Sequence, residues 1–203
     1  SGAELTVPEG AKMVPTGNPE GNEQGFAWVE QKDRLQIFYA GKSLVEYVFR
    51  DPDVLRPFFA NLKTVGGLQV TRNYPPVPGE DATDHATMHP GLWLAFGDVS
   101  GTDFWRNKGV IRHLRFVSKP MVEERRLTFS TASELLSSDQ QVICSVVNRF
   151  VLQIHSTDWS LIWDSTFLSE KQGFTFGDQE EMGFGARVAT PLTEKKGGII
   201  LSS

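Results

Sequence analysis

The chain has 203 residues, 39% hydrophobic and 22% charged, with a formal net charge of −5, the profile of an ordinary globular protein with one sizeable core. The acidic balance and the absence of any Lys/Arg run argue against a nucleic-acid partner. No window supplies the about 20 consecutive apolar residues of a membrane helix, so no membrane span is expected.

Residues 1–22 are rich in Pro, Gly, Glu and Asn without a sustained period. They read as an N-terminal arm, with one short strand around Leu5 to Val7. Its first residues lack a basic segment and an apolar signal core, and Cys144 is the single cysteine. Both features tip the expectation toward a soluble cytoplasmic protein rather than an exported one. Cys144, set among Val142, Ile143, Val146 and Val147, excludes a disulfide framework and reads as a small core residue.

Residues 23–203 read as a single domain. G-F-A-W-V-E and R-L-Q-I-F-Y, separated by Q-K-D, predict a hairpin. K-S-L-V-E-Y-V-F-R follows, then R-P-F-F-A-N-L-K, where Pro57 suits an edge position or a strand start. G-G-L-Q-V-T-R and a proline-laden loop, N-Y-P-P-V-P-G-E, lead on to a stretch crowded with His, Trp and Asp. Beyond it, V-I-R-H-L-R-F-V-S alternates, with Val110, Arg112, Leu114 and Phe116 on one side and Ile111, His113, Arg115 and Val117 on the other. V-E-E-R-R-L-T-F-S-T-A, V-I-C-S-V-V-N-R-F-V-L-Q-I-H and L-I-W-D-S-T-F-L continue the pattern. One helical turn is expected near Asp53 and another near Glu134. Many short strands punctuated by Gly and Pro predict an all-β antiparallel sandwich. The ending G-G-I-I-L-S-S reads as a strand just begun, so the domain is expected to be incomplete at its C-terminus. A homodimer could form through the sheet edge exposed there.

The chemistry concentrates between Asp81 and Gly109. D-H-A-T-M-H-P-G-L-W and D-F-W-R-N-K-G, with the later W-D-S-T-F and F-G-D-Q-E-E-M-G-F-G-A-R-V-A-T-P-L, resemble a bacterial family labelled methane oxygenase PmoA-like. The resemblance spans about Tyr47 to Gly198. It implies a β-sandwich similar to the galactose-mutarotase-like supersandwich, in a carbohydrate-degradation setting. Members of that family continue past the point where this chain ends.

His85 and His89 stand four apart, preceded by Asp84. On a helix their imidazoles would share a face; on a strand they would share a face but lie about 13 Å apart; a turn would bring them together. Two imidazoles and a carboxylate could bind a divalent metal, making Asp84, His85 and His89 the metal candidates. They could equally act as acid and base on a sugar. No motif requires a cofactor. Trp93 and Trp105 are candidates for stacking on a sugar, with Trp93 equally suited to the core and Trp105, in a polar segment, to a cleft. Glu181 is the candidate catalytic carboxylate, and Arg187 could orient a carboxylate or bind an acidic substrate. Arg56 and Arg72 could add a cationic rim, or lie on the surface. His113 is expected half-buried and His155 exposed. No G-x-S-x-G elbow, P-loop, dinucleotide fingerprint or zinc-metalloprotease motif is present.

The resulting expectation is a carbohydrate-active enzyme of epimerase, lyase or hydrolase type, with His85, His89 and Glu181 catalytic and Trp93, Trp105, Arg56 and Arg187 binding substrate. The alternatives are a non-catalytic glycan-binding module and a metal-dependent oxygenase.

Overall fold

The computed structural model describes residues 20–21, 24–169, 173–199 and 201. Alternation of apolar and polar residues builds two antiparallel sheets. The larger comprises β1 (Glu20–Gly21), β2 (Phe26–Glu30), β3 (Arg34–Tyr39), β4 (Lys42–Val48), β5 (Phe58–Ala60), β6 (Leu92–Phe96) and β11 (Met182–Ala186), in the order β1-β2-β3-β4-β5-β6-β11. The smaller runs β10-β9-β8-β7, from β7 (Val110–Glu123), β8 (Arg126–Leu136), β9 (Val142–Ile154) and β10 (Trp159–Leu168). This is the expected all-β sandwich. Among the described residues the only helical pieces are two 3-10 turns, Thr190–Leu192 and Glu194–Lys196. No described helix is long and apolar enough to cross a membrane.

The core lies where the two inner faces meet. Phe26, Leu35, Ile37, Tyr47 and Phe59 of the large sheet pack on Leu127, Phe129, Phe150 and Leu152 of the small one. The Tyr47 ring lies 5.4 Å from Phe129 and 5.0 Å from Phe150, offset geometries that add to area burial. Its hydroxyl reaches Thr131 at 3.3 Å across the sheets, which satisfies the one polar atom of a fully buried ring.

The hairpin from Phe26 to Tyr39 forms as the sequence predicts, with Phe26 opposite Tyr39. β9 is one unbroken strand of 13 residues. Four expectations change. The helical turn near Glu134 is instead the end of β8, because Leu135 and Leu136 have a core to fill. No helix forms near Asp53; there the Asp51 carboxylate caps the backbone N–H groups of Asp53 and Val54 in a tight turn. The alternation along β7 breaks at bulges after His113, Phe116 and Ser118, so Leu114 and Val117 lie exposed while His113 turns inward. Gly198, Ile199 and Leu201 form no strand, and the strand expected near Leu5 lies outside the described residues.

Cross-strand pairing sets Val48, Phe58 and Trp93 side by side, on the face of the large sheet opposite Tyr47 and Phe59. Residues 61–91, between β5 and β6, fold over this outer face, where Tyr74 packs edge-on against Phe58 at 4.7 Å.

Candidate functional site

The site is built at the end of that excursion. His85 adopts a left-handed backbone, φ 50°, a conformation that costs a non-glycine residue about 1–2 kcal/mol. Its carbonyl accepts from the N–H groups of Met88 (3.1 Å) and His89 (2.8 Å), closing a single turn. Of the three geometries the spacing allows, the turn is the one formed, and it sets the His85 and His89 rings 5.1 Å apart. Gly91 then lets the chain re-enter the sheet. A Cβ there would stand 2.3 Å from the Phe59 carbonyl oxygen, so only glycine permits β6 to pass this close to β5.

A turn off the sheet leaves carbonyls without ladder partners, and two buried guanidinium groups supply them. Arg72, 1% exposed, donates to the carbonyls of Ala82, Asp84 and His89, each at 2.8 Å. Arg56, 3% exposed, donates to Phe104, Trp105, the Asn107 side chain and Met88. Asn107 completes the set by donating to Thr87 at 2.9 Å. Neither arginine is a rim or surface residue. Both are internal clamps that replace lost backbone hydrogen bonds, and burial lowers both, Arg56 to about 10. Asn107 was not among the sequence candidates, and its signal would have been a turn-forming N-K-G segment beside Arg106.

On the open side, Arg187 Nη2 donates to both Asp84 oxygens at 2.7 and 2.9 Å. Asp84 also pairs with His85 Nδ1 at 3.2 Å. First the His85 hydrogen bond and then Arg187 hold the Asp84 carboxyl at about 2, so it is anionic at any working pH. A carboxylate can only accept, so the bond to it puts the proton of neutral His85 on Nδ1 and leaves the Nε2 lone pair outward. His89 lies below, stacked on Trp93 at 5.0 Å with 10° between the planes. Burial first, then the neighbouring His85 and the positive charges of Arg187, Arg56 and Arg72, pull His89 down to about 4, so it is a neutral imidazole near pH 7.

Trp93 and Trp105 are 2% and 9% exposed, with rings 5.2 Å apart. They form the floor beneath His89 rather than open stacking platforms, because Arg106 turns outward while the Trp105 ring fills the gap beside Trp93. Their indole N–H groups have no acceptor among the described residues. Trp93 fits because Gly185 lies against it; a Cβ there would come 2.1 Å from Cζ2 of the indole.

Glu181 is not brought to the histidines. Its carboxylate pairs with Arg106, which also holds Asp103 at 3.0 Å, at the end of β11 remote from Arg187. Six residues of extended chain span about 20 Å. The three metal candidates do come together, but the Asp84 carboxylate is already engaged by Arg187 and His85. Among the described residues no group of three or more His, Cys, Asp or Glu is placed to hold a metal ion. His113 is more deeply buried than expected, at 6%, and its Nδ1 has no partner among the described residues. His155 is exposed, bonded to Ser160 at 3.0 Å.

No curated protein and no solved structure matches the chain. One family does, described as a family of unknown function, over residues 34–203. That match takes in the small sheet, the large sheet from β3 onward and every residue of the turn, and the chain belongs to this family, DUF6807.

Proposed function

We propose that the chain is a carbohydrate-active enzyme in which His85 acts as the acid–base group, oriented by Asp84 and Arg187. The observation that carries this reading is the relay from Arg187 through both oxygens of Asp84 to His85 Nδ1. It fixes one tautomer, leaves Nε2 free to take a proton from substrate, and places a carboxylate to stabilise the imidazolium that results. The left-handed backbone of His85 supports the same reading, since strain held by surrounding contacts gathers at functional positions. His89, neutral and stacked, serves as a hydrogen-bonding partner at the edge of the same turn. The choice of carbohydrate rests on the sequence resemblance to the methane oxygenase PmoA-like family, and the reaction is of epimerase, lyase or hydrolase type. Glu181 takes no part in it, being tied to Arg106, and no step through a metal belongs to it.

The test is turnover of a panel of neutral and acidic oligosaccharides, followed by NMR for bond cleavage, unsaturation or epimerisation. We expect His85→Ala to lower the rate by about 10²–10⁴, the usual contribution of a positioned acid or base, with binding retained. Asp84→Asn should lower the rate while shifting the pH profile. Full activity in His85→Ala, or no turnover of any panel member by the wild type, would sink the reading; binding without turnover would leave a glycan-binding module.

A further inference from the structure

Away from the His85 turn, the two sheets leave a cleft of about 300 Å³ where the excursion after β5 meets the turn between β9 and β10. Its wall is apolar, made by Leu62, Val70, Leu161 and the ring of Trp159. The indole Nε1 donates to the Lys63 carbonyl at 2.8 Å, so the ring is fixed in place and its polar edge already satisfied. The rest of the lining is polar: Lys63, Thr64, Thr157 and Asp158. The Lys63 ammonium, the Thr157 hydroxyl and the Asp158 carboxylate make no hydrogen bond or ion pair with other described residues, although donors and acceptors stand together there.

We propose that this cleft binds a single neutral pyranose ring, with Trp159 as its apolar platform. The volume lies at the small end of ligand pockets, enough for one ring and not for a chain of them. A purely apolar ligand would desolvate Lys63 and Asp158 without replacing their water contacts. A ligand of either charge would meet one like-charged group. A polyol with an apolar ring face and donor–acceptor hydroxyls satisfies the wall and both charges at once. The site shares the carbohydrate class of the reading above but none of its residues, so either can fail alone.

The experiment is NMR of the ¹⁵N-labelled full chain, titrated with methyl β-D-glucopyranoside and, separately, cyclohexanol, with the Trp159 indole signal assigned through Trp159→Phe. The expected result is a shift of the Trp159 signal by the glycoside with Kd on the order of 1 mM, the range for a dozen or so heavy atoms. Val70→Phe, which fills the cleft while keeping an apolar wall, should weaken it at least about tenfold, and Asp158→Ala by a smaller factor. His85→Ala should bind unchanged. No shift at tens of millimolar, equal binding by cyclohexanol, or loss of the shift in His85→Ala would each overturn the proposal.

Discussion

The small sheet and the outer face of the large sheet solve the same problem by different means. In the small sheet four strands of 10–14 residues pair in long ladders, so the backbone satisfies itself and side chains are left to pack. Over the large sheet, residues 61–91 leave the ladder between two strands of three and five residues. There Arg56, Arg72 and Asn107 stand in for the missing strand partners of the carbonyls from Ala82 to His89. Regular pairing yields a rigid wall. Irregular chain held by buried cations yields a surface on which ionisable groups can be aimed outward, at the cost of burying two charges without a carboxylate contact.

Substitutions in each region sharpen that contrast. Phe129→Ala, in the wall, should cost about 3–5 kcal/mol in urea unfolding while the His89–Trp93 stacking signature persists in the folded fraction. Arg72→Met should cost about 3 kcal/mol, with accelerated hydrogen exchange concentrated in residues 82–89 rather than spread over the strands. If exchange rose equally in β8 and β9, the division between the regions would be lost. Gly185→Ala drives a methyl into the Trp93 ring and should cost about 1–3 kcal/mol by displacing the floor under His89, read as a change in indole fluorescence.

The last effect is one of pH. Burial first, then Arg50, with Lys119 acting in the same sense and Glu30 opposing, lower His113 to about 4 from an ordinary 6.5. Between those values the unfolded chain binds a proton that the folded chain does not. Stability therefore falls as pH drops from about 6.5 toward 4, by at most about 1.4 kcal/mol per unit from this group. His113→Phe, among Phe49 and Phe116 at 4.7 and 5.3 Å, should flatten that part of the curve; an unchanged slope would assign it elsewhere.

Most of the wall was legible in the sequence, because period-two alternation states directly which residues face a core. The β2–β3 hairpin and the course of β9 follow from it, and Cys144 reads correctly as core, at 2% exposed. β7 was misjudged because bulges shift the register with no turn residue to announce them. At the site, the sequence marked Asp84, His85, His89 and Arg187, and the structure gathers all four. What it could not show was direction. Arginine beside a proline or at a strand end looks solvated, and only the fold reveals that Arg56 and Arg72 point inward at carbonyls. The sequence also could not show that the Glu181 carboxylate is engaged by Arg106.

The bulges in β7 have another consequence. β7 and β10 are the two margins of the small sheet. β7 is kinked at three points and carries Arg112, Arg115, Lys119 and Pro120, the features that deter another chain from adding a strand. β10 keeps ten residues in unbroken register with β9 and exposes Ile162 and Leu168. Among the described residues the small sheet is thus guarded on one side only, and crowding in concentrated solution will press hardest along β10.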